Sequence, residues 1–188
     1  MTDIKVQTGD VIIVWDKDII GKVLRFAISR IFAIKNPANH AEMAFDEEID
    51  ISAEPQGVVF QNRAKRMKKA KKYVVARNVK ITPELQRELQ NYSYKYFGKP
   101  YDYYLSALWY LRFTLVFAPF VWLFSRIFAW WLKRNEQKAY MCSELVSELY
   151  GDIGFSFGLD DHSFVTPSDI FQVIKACPDW KIIYIYEE

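Results

Sequence analysis

The chain is poor in several things. It has two cysteines, Cys142 and Cys177, in 188 residues, too few for a disulfide framework, which points to a reducing compartment. It also has two histidines, His40 and His162. With the cysteines they stand at 40, 142, 162 and 177, which is no zinc spacing, so neither metal nor cofactor is expected. Seven glycines and seven prolines exclude a fibrous or low-complexity chain. A charged fraction of 26% beside 51% apolar residues excludes a disordered one. Residues 1–10 hold no apolar run of the kind a secretory signal needs, so a cytoplasmic location is expected. The uncharged stretch between Arg112 and Arg126 is interrupted by Pro119. As a helix it reaches ~20 Å, short of the ~30 Å of a bilayer core.

Aromatics are abundant, at 17% of the chain, and four of the six tryptophans (Trp109, Trp122, Trp130 and Trp131) crowd into one segment. Charge is uneven too. The net +2 conceals a strip at 63–72 with seven cations and no acid; without it, 18 bases face 23 acids. One domain over 1–188 is expected, with 103–139 as an apolar, aromatic helical insertion. That insertion reads as a hairpin packed on the protein or a partner, as an interfacial element, or as a membrane span. Arg66, Lys68 and Lys69 in the strip, with Trp109, Trp122, Trp130 and Trp131, are candidate contacts to an anionic membrane surface. A nucleic-acid partner is not expected, because the strip lacks interleaved aromatics and the remainder is acidic.

The patterning predicts a strand at Val11 to Trp15 and an amphipathic helix over 20–34 ended by Asn36-Pro37. Strand-like pieces follow at His40 to Phe45, Ile49 to Ala53, Gly57 to Gln61 and Tyr73 to Val79. Thr82-Pro83 starts a helix that runs to about Phe97. Cys142 to Tyr150 reads as a helix closed by Gly151, Thr166-Pro167-Ser168-Asp169 starts another, and Trp180 to Tyr186 is a last strand. There are no internal repeats. Strands and helices do not alternate regularly, so the expected class is α+β with a mostly antiparallel sheet packed on helices.

Cys142 falls in the first turn of its helix, where unsatisfied N–H groups favour an anion and lower a thiol pKa. A neighbouring imidazole would complete an activated nucleophile. His40 opens a strand and so has a rigid mount, whereas His162 lies in the polar Asp160-Asp161-His162-Ser163 loop. Ser52 and Glu54, two apart on the next strand, share a face, and either can hold the far ring nitrogen of His40. Glu42 shares the face of His40 on its own strand.

Six pieces in order are Gly9-Asp10-Val11-Ile12, Asn39-His40-Ala41-Glu42, Ala53 to Val58, Gly98-Lys99-Pro100-Tyr101-Asp102, Cys142-Ser143-Glu144-Leu145-Val146 and Thr166-Pro167-Ser168-Asp169. Together they resemble the circularly permuted NlpC/P60 proteins of papain-like fold, the YiiX-type hydrolases. Lecithin–retinol acyltransferase and the small phospholipase/acyltransferases are related permuted members. The resemblance covers most of the chain outside 103–139. It implies a permuted papain-like fold with Cys142 as nucleophile, His40 as base and Ser52 or Glu54 as the third polar residue. Glu54 is favoured because a carboxylate stabilises imidazolium better than a hydroxyl. Tyr140, Ser52 and Tyr101 are substrate or oxyanion candidates. Met141 departs from the usual tyrosine directly before the cysteine.

The expected function is a thiol hydrolase cleaving an amide or ester through an acyl-enzyme, on a peptide-like substrate. Two competing readings are a membrane-associated hydrolase or acyltransferase acting on acyl lipids, and a non-catalytic papain-like scaffold for binding or assembly.

Overall fold

The structure is a computed structural model and describes residues 5–17, 29, 37–102, 139–158 and 165–188. The helix expected over 20–34 except Ser29, His162, and the 103–139 insertion except Ala139 lie outside the described residues, as do Trp109, Trp122, Trp130 and Trp131.

Six antiparallel strands form one sheet in the order β4-β3-β2-β1-β5-β6. The strands are β1 (Val11–Asp16), β2 (His40–Ala44), β3 (Ile49–Glu54), β4 (Gly57–Asn62), β5 (Ala70–Asn78) and β6 (Trp180–Glu187). The helices among the described residues are α1 (Arg63–Met67), α2 (Pro83–Tyr96), α3 (Cys142–Asp152) and α4 (Pro167–Ala176). β1 is central, and all six of its residues are buried, which fits its unbroken Val-Ile-Ile-Val-Trp run. Period-two alternation sends Val11, Ile13 and Trp15 to one face and Ile12 and Val14 to the other.

The first face carries the main core, where Leu89 of α2, Leu145, Val146 and Leu149 of α3, and Ile170 and Ile174 of α4 pack. The second face is smaller, with Met67 of α1 beside Ile12, Val14 and Val75. In register, Val14 stands opposite His40 and Ile12 opposite Glu42. Cross-strand partners share a face, so the polar residues of β2 lie on this second, α1-covered face.

Two elements differ from the sequence reading. Gly151 does not end α3, which runs to Asp152; Gly154, at φ +80°, follows the helix and donates its N–H to Gly151 O at 2.9 Å. The basic strip is exposed only in part. Its first half is α1, whose Arg63, Arg66 and Met67 point inward, and its second half enters β5.

Candidate active site

Several of the quoted motif pieces serve to place two residues. Asn39 fixes the entry to β2: its Oδ1 accepts the Asp16 N–H at 2.8 Å, and its Nδ2 donates to Asp16 Oδ2 at 3.0 Å. Thr166 and Asp169 form a reciprocal capping box on α4, with Asp169 N–H to Thr166 Oγ1 at 3.1 Å and Thr166 N–H to Asp169 Oδ2 at 2.9 Å. Ser168 then accepts the Ala38 N–H at 2.9 Å, which ties α4 to the chain two residues before His40.

The β3–β4 turn is approached so closely by residues 98–100 that a Cβ on Gly57 would lie 2.7 Å from Lys99 O. Gly57 also has φ +112°, so both the contact and the conformation require glycine. Val58 N–H donates to Lys99 O, and Gly98 N–H to Val58 O, at 2.8 and 2.9 Å. Tyr101 then bridges Tyr140 in parallel, and Tyr96 meets the Tyr140 ring edge-on at 5.1 Å between centroids. Tyr140 and Tyr101 therefore set the approach to α3.

α3 starts at Cys142 because Met141 is extended (φ −85°, ψ 162°) and Glu144 Oε2 accepts the Met141 N–H at 3.3 Å. Cys142 is 5% exposed and His40 8%. The first residue of the helix lies beside the first residue of β2, near enough for the sulfur to act on the imidazole. The opposite ring nitrogen, His40 Nε2, lies 2.8 Å from Ser52 Oγ, 3.2 Å from Glu54 Oε1 and 3.4 Å from Glu42 Oε1. The sulfur is thus left to Nδ1. Ser52 Oγ–H also donates to Glu54 Oε1 at 3.3 Å, so Ser52 and Glu54 act on the ring together.

Burial alone pushes the His40 pKa down. The Cys142 sulfur and then the Glu54 carboxylate outweigh it and hold His40 well above its ordinary 6.5. Burial likewise pushes Glu54 up, but the hydrogen bond and charge of His40, followed by Arg66 and Gln61, bring it down to about 2. Glu42 goes the other way. Burial dominates and raises its pKa, Glu54 and Asp16 add to the rise, and His40 and Arg66 only partly offset it.

Arg66 is the residue that sequence reasoning misplaced. Offered as a membrane contact, it is 9% exposed. Its NH1 and NH2 grip Asp16 Oδ1 and Oδ2 at 2.5 and 2.9 Å, and its Nε lies 2.9 Å from Glu42 Oε1. Arg63 is likewise consumed, donating through Nε and NH2 to Asp50 Oδ1 at 2.8 and 2.6 Å. Lys68 and Lys69 do remain exposed. Met67 in the middle of the strip was the available signal: it marks the buried face of α1, and Arg63 and Arg66 lie one turn and one residue before it.

His40 Nε2 and one oxygen each of Glu42 and Glu54 lie within 4.8 Å of one another, a set that could hold a metal ion. A search for Cys and His spacing passes over it because two of the three donors are carboxylates.

No family model matches the sequence, and no curated protein does. Among solved structures, the metalloprotein YiiX from Escherichia coli O157:H7 superposes with a TM-score of 0.62 over 98% of this chain and 100% of that one. The chain has a YiiX-like fold. Sequence identity is 19%, so the likeness is one of architecture: a mixed α/β molecule with a six-stranded antiparallel sheet. No helix among the described residues is long and apolar enough to cross a membrane.

Proposed function

We propose that this chain is a thiol hydrolase of permuted papain-like type, cleaving an amide or ester through an acyl-enzyme, with a peptide-like acyl group as substrate. The observation that carries the reading is the juxtaposition of Cys142 and His40, with Glu54 and Ser52 on the far nitrogen of the ring.

His40 Nδ1 takes the thiol proton and Glu54 stabilises the resulting imidazolium. The thiolate attacks the carbonyl carbon, and the first-turn N–H groups of α3 face the developing oxyanion, since a helix leaves them without intrahelical acceptors. His40 returns its proton to the leaving group. Water, activated by the same imidazole, then releases the acid and restores the thiol.

YiiX is described as a metalloprotein. In this chain His40, Glu42 and Glu54 are the residues that would hold such an ion, and the buried Glu42 Oε1, which has no hydrogen-bond partner, fits that role. A divalent ion there would supply positive charge at His40 Nε2 and keep the imidazole neutral.

The test is alkylation of Cys142 by iodoacetamide at neutral pH, located by peptide mass spectrometry, together with labelling by a thiol-reactive acyl probe. Labelling that falls in His40→Ala supports the dyad. Equal labelling in both proteins overturns it in favour of a non-catalytic scaffold.

A second reading directs the same chemistry to acyl lipids at an anionic membrane surface. It is supported by Lys65, Lys68, Lys69 and Lys71, which stay exposed in the basic strip.

A further inference from the structure

The polar seam between β2, β3 and α1 contains more negative charge than its cation balances. Asp16, Glu42 and Glu54 surround Arg66, and even with His40 charged beside Glu42 and Glu54 one carboxylate is in excess, in a region where Glu42 is wholly buried and Asp16 nearly so. Uncompensated charge at such depth is costly. Glu42 Oε1 is also a buried acceptor with no hydrogen bond. Arg66 Nε is near it at 2.9 Å without donating a hydrogen bond, and His40 Nε2 is 3.4 Å away.

The spacing of these donors is informative. Glu42 Oε1 and Glu54 Oε1 stand 3.4 and 3.2 Å from His40 Nε2. A tetrahedral ion with bonds of ~2.0–2.1 Å has its ligand atoms ~3.3–3.4 Å apart. One imidazole and two carboxylates favour a first-row ion such as Zn²⁺ over Mg²⁺ or Ca²⁺. The surroundings would orient such ligands: Gln61 Nε2 donates to Glu42 Oε2 at 3.1 Å and to Glu54 Oε1 at 3.2 Å, and Arg66 Nε lies 2.9 and 3.8 Å from the two Oε1 atoms.

We infer that His40 Nε2, Glu42 and Glu54 form a site for a first-row divalent cation, and that the cation and Cys142–His40 proton transfer exclude each other. An ion on Nε2 fixes the imidazole proton on Nδ1, the nitrogen that faces the sulfur. The ring can then donate to Cys142 but has no lone pair left to accept its proton. The metal-loaded chain is therefore an off state of the thiol site. The cation site follows from the donor set alone; its switching role rests on the hydrolase reading.

The experiment uses the full chain, stripped with a chelator and titrated with Zn²⁺ against a chromophoric competitor, with Cys142 alkylation followed in parallel. One Zn²⁺ per chain is expected in the unaltered protein and in Cys142→Ser. Affinity should fall about 100-fold in Glu42→Gln and in Glu54→Gln. The second variant covers the case in which the wholly buried Glu42 does not tolerate substitution, and circular dichroism checks both folds. Bound Zn²⁺ should slow alkylation about tenfold by withdrawing the base, with recovery on chelation. Absence of Zn²⁺ binding, undiminished binding in both glutamine variants, or loss of binding in Cys142→Ser overturns the site. If Zn²⁺ binds as expected but alkylation of the stripped protein is the same in His40→Ala, the hydrolase reading and the switch fall while the cation site stands.

Discussion

His40 is held between a sulfur on one side and two carboxylates and a hydroxyl on the other, and its behaviour with pH follows from those neighbours. The Glu54 charge raises the His40 pKa, so Glu54→Gln is predicted to lower it and move the basic limb of the Cys142 alkylation profile to lower pH. Ser52→Ala removes a neutral partner and is expected to leave that limb nearly in place; a pH series of alkylation rates on the three proteins checks both. Stability should respond as well. Glu54 has its folded pKa depressed from 4.5 to about 2, so its contribution is complete above 4.5 and is lost as the pH falls from there toward 2. His40 is raised above 6.5, so its contribution is complete below 6.5 and is lost as the pH climbs through the higher folded value. Urea midpoints across that range should form a plateau between the two losses, and Glu54→Gln should flatten the acid side.

At the scale of elements, the site depends on backbone fastened to backbone. Gly57→Ala forces a Cβ onto Lys99 O at a left-handed φ, and a loss of ~1–3 kcal/mol is expected, read as a lower midpoint in thermal unfolding. Disturbing that contact also loosens the 98–102 segment, so Cys142 reactivity should fall with stability. Most of this framework is legible in the sequence because its signals are local. Thr82-Pro83 and Thr166-Pro167 mark helix starts, the Val11–Trp15 run marks a central strand, and the Ser52/Glu54 spacing follows from a period of two. What is not local does not show. Nothing near Arg66 in the chain says that Asp16 and Glu42 wait for it across the fold, so a cation inside a basic run reads as a contact to an anionic surface. The glycine at 151 misleads for a related reason: α3 is buried over most of its length up to Tyr150, and packing of Leu149 and Tyr150 carries the helix past a weak helix former.

For the whole molecule, the burial of Arg63 and Arg66 narrows the membrane proposal to the lysines. Replacing Lys65, Lys68, Lys69 and Lys71 by Gln is predicted to remove sedimentation with anionic vesicles, at ~1 kcal/mol per cation, while leaving Cys142 alkylation unchanged. Binding that survives the replacement counts against the electrostatic argument. Both described tryptophans, Trp15 and Trp180, are core residues, so the aromatic surplus of the chain resides in the 103–139 segment and not in the framework that holds the dyad.

That segment leaves and re-enters the framework at one place. Asp102 N–H donates to Tyr140 O at 3.1 Å, and Tyr140 N–H to Pro100 O at 3.0 Å, so the two ends are already stitched side by side just ahead of Cys142. In evolutionary and engineering terms this is a socket: a guest sequence can be lengthened, exchanged or deleted there without re-registering a strand. Replacing 103–138 by a flexible linker of roughly eight residues should leave the Tyr101–Tyr140 bridge intact and gain ~1 kcal/mol from the shorter loop. The thiol chemistry would then persist in the excised protein, and whatever the guest recognises could be transplanted to another host.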